Sequence, residues 1–417
     1  MNTSDSIDMG QLCDLVSIQC NPSHIPEATY FGLEHLASGR MRPISSGRAA
    51  DVQSHKFAFQ RNDVLYGKLR PYLDKAVLAD GDGVCTTELL VFRVKPGVAP
   101  RYLACVVHSP DFIEHAMSGV TGAHHPRTSW NHVSQFKLPR HDKREQANIA
   151  RLLWNVNDLL FACEAAIESA GELKRAAMTR LFTRGLRGET QKETEIGLVP
   201  ESWEFDSLGT HHTVVSGGTP PRSNSSFWTG GTIPWVKTTE VNYCVISETE
   251  EHITPRGLEN SAAKMLPVGT LLMAMYGQGV TRGKVAILGI EATCNQACAA
   301  ITPKNDAVLP RYLYHFLTWR YDEIRSLAHG GQQQNLNLEI VRDLPIVYPK
   351  TDDEQNQIIT ILDSIDRKIA LHRQKSAVLD DLFQSLLHKL MTGEIRVADL
   401  DLSALSAAPA QIPEVTA

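Results

Sequence analysis

The sequence predicts a mixed α/β (α+β) protein built as a pseudo-two-fold tandem repeat: two globular parts joined by two long helices that pair as an antiparallel coiled coil. Three observations predict it. Short motifs recur in the same order about 210 residues apart. The best-kept part of each copy carries a heptad apolar pattern, and the stretches between mix strand-like and helix-like signals.

Pro100-Arg-Tyr-Leu-Ala104 returns as Pro310-Arg-Tyr-Leu-Tyr314, Arg144-Glu-Gln-Ala-Asn-Ile149 as Asp353-Glu-Gln-Asn-Gln-Ile358, and Arg180-Leu-Phe-Thr183 as Lys389-Leu-Met-Thr392. Chance does not explain that constancy of order and offset, so the chain is read as a duplication whose globular parts have diverged.

The heptads follow. From Ile149 the apolar residues run Leu152, Val156, Leu159, Cys163, Ala166, Ala170, Leu173 and Ala177. In the second copy the series is Ile358, Leu362, Ile365, Ile369, His372, Ser376, Leu379, Phe383, Leu386 and Leu390. Spacings of four and three make an apolar seam, and each pattern ends near a glycine, Gly185 or Gly393. Some 40 residues at about 1.5 Å each make a rod of roughly 60 Å. A rod with one apolar seam does not stay exposed, so the two are expected to pair as a spacer. His372 reads as a polar seam position that sets register rather than as a ligand.

In the first globular part, Asp63–Gly67 and Glu88–Val94 read as strands and Arg101–His115 as a helix. In the second, Gly269–Tyr276 and Lys284–Leu288 read as strands around a Gly-rich turn, with Arg311–Leu327 as the matching helix. A hinge is expected near Gly185–Pro200. The predicted parts are 1–141 and 188–350 (globular), 142–187 and 351–397 (long helices), and an Ala/Pro/Ser-rich tail, 398–417, whose composition predicts disorder.

Bulk properties narrow the class. With 417 residues, two or three domains are expected, and 42% hydrophobic with 21% charged residues is ordinary for a soluble protein. The first residues, Met1-Asn-Thr-Ser-Asp-Ser6, lack a basic and an apolar region, and no run reaches the roughly 18 apolar residues of a membrane helix, so a cytoplasmic location is expected. The eight cysteines lack metal-ligand spacing; Cys294-Asn-Gln-Ala-Cys298 has no second pair to complete a zinc set. A net charge of −6 argues against a histone-like DNA binder but leaves local basic surfaces open.

Catalytic signatures fail one by one. Gly277-Gln-Gly-Val-Thr-Arg-Gly-Lys284 has five residues between its outer glycines, and Val285 stands where a phosphate loop needs Ser or Thr. No Gly-x-Gly-x-x-Gly follows a strand. Asn21-Pro-Ser-His24 lacks the second proline and the aromatic of the loop that holds a flipped base in adenine methyltransferases. Glu172-Leu-Lys174, the nearest nuclease-like set, lies within a heptad helix. No catalytic residue, metal ligand or bound cofactor is therefore expected.

What remains reads as binding. His115–His141, Asn260–Ile290 and Ile324–Leu338 contain no Asp or Glu, and each carries many hydrogen-bonding side chains. Such stretches do not repel phosphates; Gln and Asn pair with adenine and Arg with guanine in the major groove. Each alone is a solvated turn, but they recur at matching places in both copies.

Taken together these residues resemble the specificity (S) subunit of Type I restriction–modification systems, over Phe57–Val397. The matching pieces in the first copy are Asp63-Val-Leu-Tyr-Gly-Lys-Leu-Arg-Pro-Tyr72, Cys85-Thr-Thr-Glu88 and Glu145-Gln146. In the second they are Gly197-Leu-Val-Pro-Glu-Ser-Trp203, Gly217-Gly-Thr-Pro220, Ile233-Pro-Trp235, Asn295-Gln296, Glu354-Gln355 and Leu390-Met-Thr-Gly-Glu394. The first 50 residues carry none of them.

The resemblance implies two target recognition domains, each reading half of a bipartite, asymmetric double-stranded DNA site, and helices that space them and dock two adenine DNA methyltransferase subunits. S-adenosylmethionine, ATP and Mg would sit on those partners and on translocating restriction endonuclease subunits. It assigns DNA contacts to Lys68, Arg70, His124, His125, Arg127 and Trp130 in the first domain, and to Gln278, Thr281, Arg282, Gln332, Gln333 and Asn335 in the second. Lys237 and Asn295-Gln296 are further candidates, the last pair also able to hold a turn. Two other readings stay open: a coiled-coil scaffold without DNA contacts, and a specificity subunit of a system that methylates without cutting.

Overall fold

In the computed structural model the structure describes residues 6–122, 124–277, 280–327 and 335–400. The chain forms two compact units, Met1–Ala165 with His372–Ala417, and Ala166–Leu371. Each long helix is thus shared between the two units. The tail from 401 onward lies outside the described residues.

In the first unit an antiparallel sheet runs in the order Cys13–Val16, Leu89–Val94, Val64–Gly67, Ala76–Leu78. All four residues of Val64–Gly67 are buried, and alternation explains how. Val64 and Tyr66 face one core with Tyr102, Phe112, Leu153 and Trp154, while Leu65 faces another with Phe31, Phe59 and Val77. Period-two side chains on a sheet covered on both faces produce this continuous apolar run. Beyond the second core lies a five-stranded sheet, Gln19–Cys20, Lys56–Phe59, Gly83–Cys85, Thr29–Phe31, Gly47–Arg48. The first 50 residues, silent as sequence, therefore supply five strands, including Ser6–Asp8, which pairs with Lys137–Pro139.

The second unit repeats this order: His212–Ser216, Cys298–Pro303, Leu271–Ala274, Val285–Leu288, with Val245–Ile246 added in parallel. Glu204–Ser207 pairs with Pro345–Tyr348 as Ser6–Asp8 does with its partner. The duplication is legible in topology even where the sequences have drifted. The expected hinge is instead a two-stranded hairpin, Gln191–Thr194 with Gly197–Pro200.

Each predicted single helix is two. Pro100–His108 stops at Ser109, whose extended backbone (ψ 141°) precedes Pro110, and Pro110–Ser118 restarts with Ser109 Oγ accepting from Phe112 N. A proline disfavours the helical region at the residue before it, while Ser is a good N-cap. In the second unit Pro310–Trp319 and Tyr321–Ser326 are the counterparts.

The long helices are Lys143–Arg184 and Asp352–Met391, followed by Gly185 (φ 59°) and Gly393 (φ 73°) in the left-handed conformation that ends helices. They pack together in antiparallel fashion within each unit. In the first, Leu153, Val156 and Leu160 share a core with Phe383, Leu387 and Leu390. In the second, Ile167, Ala170 and Ala177 meet Ile365 and Ile369, and Lys174 Nζ lies 2.6 Å from Asp366 Oδ1.

The predicted seam of the second helix matches, with His372 and Ser376 half-buried within it. In the first, Ile149, Leu152, Val156, Cys163 and Ala170 are buried as the heptad predicts, but Leu159 is 38% exposed and Leu173 59%, while Leu160 beside Leu159 is fully buried. Leu159 and Leu160 are adjacent and equally apolar, and packing in the core of the first unit buries Leu160.

The recurring Glu-Gln has a structural task. Gln355 accepts from Leu309 N (2.9 Å) and donates to Ala307 O and Pro349 O, tying two chain segments to the helix start. Gln146 likewise donates to His141 O at 3.0 Å. Glu354 accepts from Trp203 Nε1 (3.4 Å), and Glu145 from Val397 N (3.4 Å). Buried amides are used here to satisfy backbone groups that helix starts leave open.

Candidate nucleic-acid interface

In each unit one central strand runs straight into a polar loop cluster. In the first, Val64–Gly67 continues into Lys68, Leu69 and Arg70, which bond to a second segment: Arg70 N donates to Pro126 O (2.7 Å), Thr128 N to Lys68 O (3.0 Å), and Leu69 bridges Arg127. Arg70 holds φ 52°, a strained conformation for a non-glycine residue that such bonds over-determine. Lys68, Arg70 and Arg127 are thereby gathered, with His124 and His125 exposed beside them.

Arg127 is committed to an acid: its Nε and Nη2 reach Glu88 at 3.0 and 3.3 Å, and Nη1 donates to His125 O at 3.3 Å. The ring of Trp130 packs on Phe92 (centroids 5.3 Å) and joins the core, so packing is the role its contacts show. Sequence reasoning missed how the loop is closed. His115 and His132 stack at 4.3 Å with planes 8° apart, His115 Nε2 bonding to His132 O and His132 Nε2 to His115 O.

In the second unit Leu271–Ala274 continues into Met275, Tyr276 and Gly277, whose φ of 140° suits only glycine. Gly283 N returns to Ala274 O (2.8 Å), Lys284 N bonds to Thr281 O (3.1 Å), Tyr321 Oη donates to Val280 O (2.6 Å), and Leu336 N donates to Met275 O (3.1 Å). These bonds bring the Thr281-Arg282 turn beside exposed Asn335. Gln278, Gln332 and Gln333 lie outside the described residues.

The further candidates are engaged elsewhere. Lys237 Nζ pairs with Glu250 (2.7 Å) and Glu251 (3.2 Å), and these carboxylates raise its pKa. Asn295 Oδ1 accepts from Ala297 N (2.8 Å) and so holds its turn, while Gln296 bonds Thr219. Near them Arg222 lies 3.7 Å over Trp228 and 4.8 Å from the ring centre of Trp235, a stack the sequence did not announce.

One group could be mistaken for a metal centre. His315, Asp363 and Asp366 offer ligand atoms within 4.8 Å of one another. Arg311 and His315 already donate to Asp363 (2.7 and 2.8 Å), and Lys174 to Asp366 (2.6 Å). Burial raises the Asp363 carboxyl, but its bonds to His315 and Arg311 prevail and hold it down at about 2. The arrangement is a charge network that straps Pro310–Trp319 to the second long helix.

Residues 200–381 match the family of the type I restriction modification DNA specificity domain. Among curated proteins, the chain is 30% identical over 208 residues to the type I restriction enzyme MjaIX specificity subunit of Methanocaldococcus jannaschii, covering 48% of this chain and 47% of that one. It is 26% identical to the EcoR124I/EcoR124II specificity subunit of Escherichia coli, over 39% of this chain and 41% of that one. These matches span about half the length of those relatives. The HindI specificity subunit of Haemophilus influenzae matches at 22% identity over 82% of this chain and 88% of that one. The S subunit of a type I restriction-modification system from M. genitalium has the same fold, with a TM-score of 0.64 at 16% identity over 94% of this chain and 97% of that one.

Proposed function

From a chain that carries the type I restriction modification DNA specificity domain, we infer a DNA sequence-recognition subunit with no catalytic step of its own. It reads a bipartite, asymmetric site in double-stranded DNA, one half with each unit. The observation that carries this is the loop cluster at the same place in two topologically equal sheets, with unlike residues: Lys68, Arg70, His124, His125 and Arg127 in one, Thr281, Arg282 and Asn335 in the other. A repeated scaffold holding different polar loops fits two readers of different half-sites. Trp130 supports the first loop from the core, and Gln278, Gln332 and Gln333 belong to the second reader by position in sequence.

Partners complete the activity. Exposed apolar residues along the long helices support docking there: Leu159, Phe161 and Leu382 in the first unit, Leu173, Ile361 and Leu371 in the second. Exposed apolar side chains that form a contiguous patch mark contact surfaces. Adenine methyltransferase subunits would bind on them and bring S-adenosylmethionine; a translocating endonuclease subunit would bring ATP and Mg. No helix among the described residues is long and apolar enough to cross a membrane, and a cytoplasmic place beside the chromosome fits the role. Mapping methylated adenines genome-wide with and without the gene tests the reading. Loss of one two-part motif is the expected result; an unchanged methylome rejects it.

A further inference from the structure

Three arginines in the last part of the first long helix flank one exposed recess. Arg175, Arg180 and Arg184, with Ala176, Thr179 and Thr183, line a shallow recess of about 850 Å³, which Glu172 borders at one end. At 3.6 residues per turn the threonines and Ala176 form its floor, with Arg175 on one flank and Arg180 and Arg184 on the other. The opposite arc, Met178, Leu181 and Phe182, is buried in the core of the second unit, so this face cannot turn inward.

Two facts separate it from an ordinary solvated helix surface. Among the described residues none of the three guanidinium groups has an ion-pair partner; Arg187, Arg222, Arg311 and Arg320 of the same unit each pair with a carboxylate while Arg256, Arg342 and Arg367 do not, and what sets this face apart is that three such arginines line one recess. The set belongs only in part to the duplicated frame: Arg180 returns as basic Lys389 and Thr183 as Thr392, but Arg175 and Arg184 have no charged counterpart. The corresponding positions of the second long helix are Gln384, Lys389 and Gly393, although the neighbouring seam residue Leu181 is repeated as Leu390. In a chain of net charge −6, three unneutralised arginines on one face are a local exception suited to an anion.

The spacing indicates which anion. Arg175 and Arg184 are separated by roughly 13 Å along the helix axis. A duplex strand carries a phosphate about every 3.4 Å along its own axis, so several fall within that reach. Guanidinium forks bind phosphate oxygens in pairs. The floor is made of Ala176, Thr179 and Thr183, with no large apolar side chain among them.

We propose that this face grips the phosphodiester backbone of duplex DNA outside the base-reading loops, as a sequence-independent clamp carried by one of the two copies. The proposal rests on the DNA-reading function inferred above.

The test uses the full chain with whatever subunits co-purify, and a fluorescein-labelled mixed-sequence duplex followed by anisotropy over a salt series. Arg175→Gln/Arg180→Gln/Arg184→Gln should make the slope of log affinity against log salt shallower by roughly 2 to 3, about 0.9 for each phosphate no longer neutralised. The triple Lys variant should keep most of the slope, which separates charge from folding. The genomic methylation motif should stay the same. A Gln variant with the wild-type slope overturns the clamp while leaving the DNA-reading function standing. So does an unchanged slope with loss of a co-purifying subunit, which would assign the face to a protein. A wild-type assembly that binds no duplex overturns the clamp and the function together.

Discussion

Arg127 forks onto Glu88, with Nε 3.0 Å from Oε2 and Nη2 3.3 Å from Oε1, and so fixes a loop to the edge of the central sheet of its unit. The pair is part-exposed, and such pairs contribute at most about 1 kcal/mol to stability. Its value lies in holding the loop at one geometry. Glu88→Gln should leave the thermal melting point within a few degrees of wild type. It should weaken or broaden recognition of one half-site, seen as degeneracy confined to one arm of the methylated motif; equal loss in both arms would reject this.

Arg282→Ala addresses the other reader. Its turn is closed by the bonds of Gly283 and Lys284, which the substitution leaves intact. Removing a base or phosphate contact costs about 1 to 3 kcal/mol. Recognition should relax in one half-site, opposite to the arm affected by Glu88→Gln. Competition binding with half-site-scrambled duplexes reads this directly, and loss of both half-sites together would sink the two-reader arrangement.

Trp203 is fully buried, donates its indole N–H toward Glu354, and meets Tyr312 edge-on at 6.3 Å. Trp203→Ala should destabilise the second unit by about 3 to 5 kcal/mol through the cavity it leaves. Leu173→Ala, on an exposed position of the same helix system, should cost under about 0.5 kcal/mol yet reduce co-purification of partner subunits. Urea unfolding and pull-down separate the two effects, and a destabilised Leu173→Ala would show that its side chain packs within the chain.

His212 sets an acid limit. It is buried, and burial pushes its pKa down to about 4. A base whose folded pKa lies below its unfolded value near 6.5 must be deprotonated to stay inside. Its share of stability is therefore complete above about pH 6.5 and drains away as pH falls toward 4, amounting to about 3 kcal/mol at the low end. His212→Phe should flatten that acid arm in melts taken across this window. An acid arm identical to wild type would place the sensitivity on other groups.

The duplication and the long helices were legible because repeated motifs and heptads are local in sequence. The exposure of Leu159 within the first seam was not, since Leu159 and Leu160 are equally apolar and only contact with the globular part tells them apart. Trp130 resembled a binding aromatic because its acid-free surroundings are polar, while the ring it packs on, Phe92, is 38 residues away. The His115–His132 stack was hidden for the same reason: spacing shows two histidines, and only the returning loop makes them parallel.

The sequence by itself determined the repeated frame, the helix ends at Gly185 and Gly393, and the absence of acids from the loops. Periodicity, φ preference and charge act between near neighbours, so they can be read along the chain. Tertiary structure alone decided that the unmarked first 50 residues complete the first unit, and that Arg127 is claimed by Glu88 while Arg175, Arg180 and Arg184 form no ion pair among the described residues. Those outcomes depend on which distant residues the fold brings within a few ångströms, and that distance is set by packing rather than by position in the chain.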